Sequence, residues 1–242
     1  MTKNTFPNIP KCINLKSLPH KFCPGCGHGI ILKMLGQVID ELNILDKSVF
    51  LMDIGCSLLA WDYFNLPSSQ THHGRTTSTA VGYKLAKPES VVIAYMGDGG
   101  GYAIGLQNLI HACLRNNPIS VFLVNNTNYA MTGGQVAPTT MIGQITDTTP
   151  SGKNPEISGN ILSGPKLLAK VAWKNAYLAR TTVSKPLVMK TFIRKCLSNQ
   201  INNRAFSFLE ILSFCPTNWH TNAKKTLEFM QKMENTFPLG EI

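Results

Sequence analysis

GDGGGYAIGLQNLIHACLRNNPISVFLVNN, residues 97–126, carries more structural information than any other part of this chain. Just before it, residues 91–96 (VVIAYM) form an unbroken apolar run with β-branched members, which predicts a buried parallel strand. Gly97, Gly99, Gly100 and Gly101 then let the backbone turn sharply and approach a bound diphosphate. Asp98 offers the oxygen ligand that a hard cation such as Mg2+ wants. Residues 104–115 have helical spacing, and residues 119–124 (ISVFLV) predict a second buried strand. That strand would deliver Asn125 and Asn126 to the sheet edge where the glycine turn lies. Taken alone, a GDG turn is also compatible with no ligand, or with another nucleotide.

Beyond this stretch the chain alternates predicted strands and helices, which implies an α/β fold: a mostly parallel sheet flanked by helices. Residues 29–42 predict a first helix, 49–53 a strand and 76–85 a helix of small residues. Residues 132–165, rich in Gly, Thr, Pro and Ser, read as a long functional loop. Two further helices, a strand at 206–212 and an amphipathic helix at 223–234 complete what we take as a single domain, residues 1–242. A hydrophobic content of 43% against 15% charge suits a chain with much of its surface covered. No apolar run approaches the roughly 20 residues of a membrane-spanning helix. The polar start MTKNTFPNIP has no signal core, so a cytoplasmic protein is expected.

The second chemical signal is FCPGCGHG at 22–29, where Cys23 and Cys26 form a C-x-x-C pair. Such a pair can be a redox dithiol, half of a zinc site or part of an iron–sulfur site. Cys56, in DIGCS, and Cys215, in CPTNW, each follow a predicted strand. Four thiolates are what a 4Fe–4S cube needs. Cys12, Cys113 and Cys196 fall outside these motifs and read as structural, Cys113 on an apolar helix face.

The GDG turn with its later Asn pair resembles the thiamine diphosphate signature. CPGCGHG, DIGC, HGR at 73–75, GDG…NN, NYAMTGGQ at 128–135 and CPTNW occur in the order found in β subunits of 2-oxoacid:ferredoxin oxidoreductases. APTT at 137–140, IGQ at 142–144 and FPLG at 237–240 add to the likeness, which runs from about residue 19 to 220. The resemblance implies a thiamine diphosphate-binding fold and oxidative decarboxylation of a 2-oxoacid to acyl-CoA and CO2. It makes Cys23, Cys26, Cys56 and Cys215 the ligands of one 4Fe–4S cluster. It makes Asp98, the Asn126 side chain and the Asn128 main-chain carbonyl the Mg2+ ligands, and places Gly97, Gly99, Thr132 and Gly133 beside the cofactor. His73 and Arg75 would hold a substrate or cofactor anion, and His28 would sit beside the cluster without binding it.

The same likeness implies partners: an α subunit supplying a glutamate to the aminopyrimidine, ferredoxin, coenzyme A, and room for γ and ferredoxin-like δ subunits. Relatives with a lysine or arginine three residues after the cysteine matching Cys56 can use it on the substrate carboxylate; here that position is Leu59. The CPTNW ending favours 2-oxoglutarate, with 2-oxoisovalerate close behind. A non-redox thiamine decarboxylase half would leave the cysteines idle. A basic zinc-binding interaction protein would leave GDG…NN idle.

The net charge is +10, its excess lying after residue 153. Lys166, Lys170, Lys174, Arg180, Lys185, Lys190, Arg194 and Lys195 are expected along the two helices of that region. No nucleic-acid module accompanies them. A solvated helix face or long-range steering of an acidic electron carrier would each account for them.

Overall fold

In the computed structural model, which describes residues 9–242, the two apolar runs flanking the glycine turn lie side by side in the middle of one sheet. In chain order the first half contains α1 (His28–Glu41), β1 (Ser48–Met52), β2 (Ser68–Gln70), α2 (Thr76–Ala86), β3 (Val91–Gly97), α3 (Leu106–Leu114) and β4 (Ser120–Asn125). A small hairpin of β5 (Asn128–Tyr129) and β6 (Gln135–Val136) follows, then the short helices α4 (Pro155–Ser158) and α5 (Gly164–Leu168). The chain closes with β7 (Tyr177–Thr182), α6 (Pro186–Asn202), β8 (Ser207–Leu212), α7 (Pro216–Trp219), α8 (Ala223–Thr236) and β9 (Gly240–Glu241).

The seven-stranded sheet has the order β2–β1–β3–β4–β8–β7–β9, parallel except for β9, which runs against β7. Each central strand is buried on both faces, so its apolar residues divide by the two-residue period. Phe50, Ile93, Tyr95, Phe122, Val124, Leu209 and Ile211 pack with α1, α6 and α8. Val49, Leu51, Val92, Ala94, Met96, Val121, Leu123 and Phe208 pack with α2, α3 and α5. Burying each larger side chain contributes roughly 1.5–3 kcal/mol, which fixes the register. That register sets Gly97 opposite Val124, and Asn125 opposite Leu212. The residues just beyond β3, β4 and β8 therefore emerge level with one another. β1 connects toward β2 and β3 toward β4, so connections leave two adjacent strands in opposite directions. This is the place where open α/β sheets form a crevice.

Two expectations need correction. The eight cations do not lie along two helices: Lys166 sits on the short α5, Arg180 on the strand β7 and only Lys190, Arg194 and Lys195 on the long helix α6. β7 (YLARTT) is β-branched toward its end and lies between β8 and β9, and its Arg180 points into the interior. Lys190 and Arg194 on α6 both pair with Glu41 of α1, and Lys195 pairs with Glu241. Part of the expected basic face is therefore neutralised locally. The helix after the glycine turn also begins later than expected, at Leu106, because Gly100–Ile104 makes a wider π-type turn first.

Candidate active site

The crevice lies at the carboxyl ends of β1, β3 and β4. Its lining includes Gly55, Cys56, His73, Gly97, Asp98, Gly99, Asn126, Asn128 and Thr132, with His28 beside them. Residues singled out in the sequence are thus brought together by the ends of separate strands. Gly133 follows in a turn with φ +114, just outside the lining. Arg75 is exposed at the start of α2 and does not line the crevice.

Asp98 is buried. Its Oδ1 accepts the Gly99 N–H at 2.9 Å and its Oδ2 accepts the Thr139 hydroxyl. Burial pushes its carboxyl up to about 7, against the pull of those two hydrogen bonds. A carboxylate that is this costly to ionise is placed to gain from a cation. Asn125 and Asn126 divide the work of the pair. Asn125 accepts the Thr127 N–H at 3.0 Å and donates to Glu210 at 2.6 Å, so it holds the corner from within. Thr127 turns that corner with φ +60, braced by the Thr140 hydroxyl on its carbonyl (2.6 Å) and the Gln144 amide on its hydroxyl (3.0 Å). Asn126 then faces the crevice, and its carbonyl accepts the Trp219 indole N–H at 3.0 Å.

The Asn128 side-chain oxygen is buried without a hydrogen-bond partner. A Cβ on Gly99 would collide with the Tyr129 ring, so only glycine allows the turn to approach that ring. The donors around the crevice are carboxylate and amide oxygens, a set that fits Mg2+. The orphaned oxygen on Asn128 belongs to its side chain, an additional donor beside the main-chain carbonyl expected from the sequence.

The thiols converge at the next corner. The C-x-x-C loop closes on itself through Cys26 N–H to Cys23 O (3.1 Å), and Gly27 N–H donates to Phe214 O (3.2 Å), tying it to the segment after β8. Cys56 sits in the turn after β1 and Cys215 is buried after β8. Burial pushes Cys26 and Cys56 up to about 12, and Cys215 upward as well; neighbouring cysteines of the set of four add to each shift. Such thiols ionise readily only with a metal to bind. Among the described residues no three His, Cys, Asp or Glu side chains close on a single ion. Cys12, Cys113 and Cys196 are buried in the core. His28 is buried, its Nδ1 2.5 Å from the Tyr95 hydroxyl and its ring stacked on Phe22; burial drops its pKa to about 3.

Several functional contacts come from residues that sequence reasoning left without a role. Thr139, Thr140 and Gln144 give APTT and IGQ their purpose as braces of Asp98 and Thr127. Asn218 donates to Ala130 O at 2.7 Å, so CPTNW braces NYAMTGG. Asp53, in the same DIGC that drew attention to Cys56, is fully buried beside the crevice. A carboxylate directly after an apolar strand was the available signal for it.

The family described as thiamine pyrophosphate enzyme, C-terminal TPP binding domain, matches residues 53–211. The chain is 38% identical over 222 residues to ketoisovalerate oxidoreductase subunit VorA of Methanothermobacter marburgensis, covering 90% of this chain and 46% of that one. It is 38% identical over 201 residues to 2-oxoglutarate synthase subunit KorB of Methanocaldococcus jannaschii, covering 83% and 71%. The chain thus spans about half the length of the ketoisovalerate oxidoreductase relatives it matches. A solved 2-oxoglutarate:ferredoxin oxidoreductase from Magnetococcus marinus, with 2-oxoglutarate, coenzyme A and succinyl-CoA bound, superposes with a TM-score of 0.79. The identity is 27%, over 95% of this chain and 75% of that one.

Proposed function

We propose an activity for this chain on the ground that it belongs to the thiamine diphosphate-binding β subunits of 2-oxoacid:ferredoxin oxidoreductases. The activity is oxidative decarboxylation of a 2-oxoacid to acyl-CoA and CO2, with electrons leaving through a 4Fe–4S cluster to ferredoxin. One observation carries this reading: Cys56 lines the crevice and also belongs to the corner of four thiols. An electron acceptor held there would adjoin the cofactor directly.

In this reading Asp98, Asn126 and Asn128 hold Mg2+, and Gly97, Gly99, Thr132 and Gly133 lie along the cofactor. Thiamine diphosphate supplies the carbanion chemistry of decarboxylation when bound. Cys23, Cys26, Cys56 and Cys215 hold the cluster, and buried neutral His28 with Tyr95 closes the wall between cluster and cofactor. His73 receives an anionic group at the crevice, and Arg75 adds positive charge from outside it. Thr139 keeps the Asp98 carboxylate turned to the cation.

The glutamate that faces the aminopyrimidine we assign to an α subunit. Exposed Ile145, in the segment after β6, and Ile157, on α4, give such a partner apolar side chains to cover. Coenzyme A, ferredoxin, γ and δ subunits and a cytoplasmic location belong to the same proposal; no described helix is long and apolar enough to cross a membrane. Of the substrates, 2-oxoglutarate is the first to test and 2-oxoisovalerate the second, since relatives named for each are equally similar. A non-redox decarboxylase would leave the four thiols without purpose, and a zinc-binding interaction protein would leave the buried Asp98 crevice without one.

The test is anaerobic co-purification with the partner subunit, read by absorbance, EPR and 2-oxoacid-dependent reduction of ferredoxin. A dithionite-bleached visible band with thiamine diphosphate- and CoA-dependent turnover is expected. A colourless, inactive complex would refute the redox reading.

A further inference from the structure

Asp53 follows β1 directly and is fully buried, yet the protein uses only half of its carboxylate. Oδ1 accepts the Gly74 N–H at 2.9 Å, while Oδ2 is buried without a hydrogen-bond partner. A buried carboxylate oxygen left unpaired is costly, so its retention calls for a function. Oδ2 faces the glycine turn after Asp98, where a Cβ on Gly100 would collide with it. No lysine or arginine forms an ion pair with Asp53 among the described residues.

What Asp53 holds is the turn that carries His73. Gly74 has φ +66, and a Cβ there would meet the Gly105 backbone nitrogen at 2.5 Å, so the turn lies tightly against the segment leading into α3. Its carbonyl accepts the Asn108 side-chain amide at 2.9 Å. Asp53 and Asn108 therefore pin both polar groups of Gly74, and the residue immediately before it, His73, lines the crevice. The Asp53 and His73 side chains are also within electrostatic reach of each other.

We propose that Asp53 is the positioning residue for His73, holding its imidazole at the crevice as the donor to an anionic oxygen group of the bound ligand. The group is a phosphate of the cofactor or the carboxylate of the 2-oxoacid; the chemistry at His73 is the same. This rests on the activity proposed above and adds a residue through which that site recognises charge.

The test is a double-mutant cycle in the assembled complex, with Asp53→Ala, His73→Gln and the double variant. Two constants are read: Kd for thiamine diphosphate with Mg2+, by equilibrium dialysis, and KM for the 2-oxoacid. Asp53→Ala removes the acceptor of the Gly74 N–H. Asp53→Asn has nearly the shape of the aspartate and can still accept from Gly74; it serves as the control outside the cycle, expected to keep near wild-type constants. An Asp53→Asn complex with the constants of Asp53→Ala would overturn positioning through Gly74. Each single variant is expected to raise one of these constants about tenfold with kcat changed far less, and the double variant to match the singles within about twofold. A rise in Kd identifies the cofactor phosphate as the partner of His73, and a rise in KM with Kd unchanged identifies the substrate carboxylate. Effects that multiply in the double variant would overturn the proposal, as would constants that neither single variant moves. If the wild-type complex binds thiamine diphosphate but oxidises no 2-oxoacid, the activity reading has failed, and the Kd arm alone decides on Asp53.

Discussion

Glu210, on β8, and Asp98, just after β3, are separated by the single strand β4, and both are buried. Glu210 accepts from Arg180 Nε at 2.9 Å and from Asn125 at 2.6 Å. Arg180 in turn donates to Ser163 and to the Pro238 carbonyl and lies over the Phe237 ring. Both oxygens of that carboxylate are engaged and its charge is matched. Asp98 has hydrogen bonds but no cationic partner among the described residues, and nearby Asp53 leaves one oxygen bare. The centre of the sheet satisfies its buried charge internally, whereas the crevice leaves buried charge for something else to satisfy. Glu210 is thus structural, and the crevice carboxylates are where a ligand gains most.

Substitutions on either side test this contrast. Arg180→Met strands the Glu210 charge and should cost about 3–5 kcal/mol of stability, read by denaturant unfolding; a change below about 1 kcal/mol would mean that the two carboxylates do not differ in this way. Asp98→Asn keeps shape and removes charge. It should leave the apo protein as stable as before while weakening Mg2+-dependent thiamine diphosphate binding more than about a hundredfold, measured by equilibrium dialysis. Unaltered affinity would remove Asp98 from the cation site.

The buried cysteines extend the same distinction to sulfur. Cys215→Ser should abolish or convert the 4Fe–4S EPR signal, and Cys113→Ser, whose thiol points to Leu168 O in the core, should leave that signal intact. Equal loss from both would mean that the signal reports folding. Gly82→Ala, on α2, has no atom within 4 Å of the new Cβ and should stabilise by about 0.5–1 kcal/mol without touching the cofactor constants. A loss of binding there would show that α2 is coupled to the crevice.

Part of this design is legible because it is local. An unbroken apolar run, a cluster of glycines and a helical period appear within residues 91–126, and each dictates its own backbone. The order of cysteine motifs is equally visible. β7 was hidden because basic residues spaced by four to six positions from Lys166 to Arg194 imitate a helix face, while Arg180 reads as surface until Glu210 is found beside it. The motifs APTT, IGQ and FPLG could be noticed but not explained, since Thr139, Gln144 and the Pro238 carbonyl act on residues far along the chain.

Residue type and spacing were enough to specify the parallel α/β fold and to mark the glycine turn at Asp98, because strand burial and backbone freedom follow from them directly; the grouping of four cysteines came from the order of motifs shared with the family. It took the folded chain to settle which Asn of the pair supports and which faces the crevice, that Cys56 lies at both corners, and that Asp53 keeps an unpaired oxygen. Those facts depend on which side chains meet across strands β1, β3, β4 and β8, and pairing across a sheet is set by packing between segments distant in the chain.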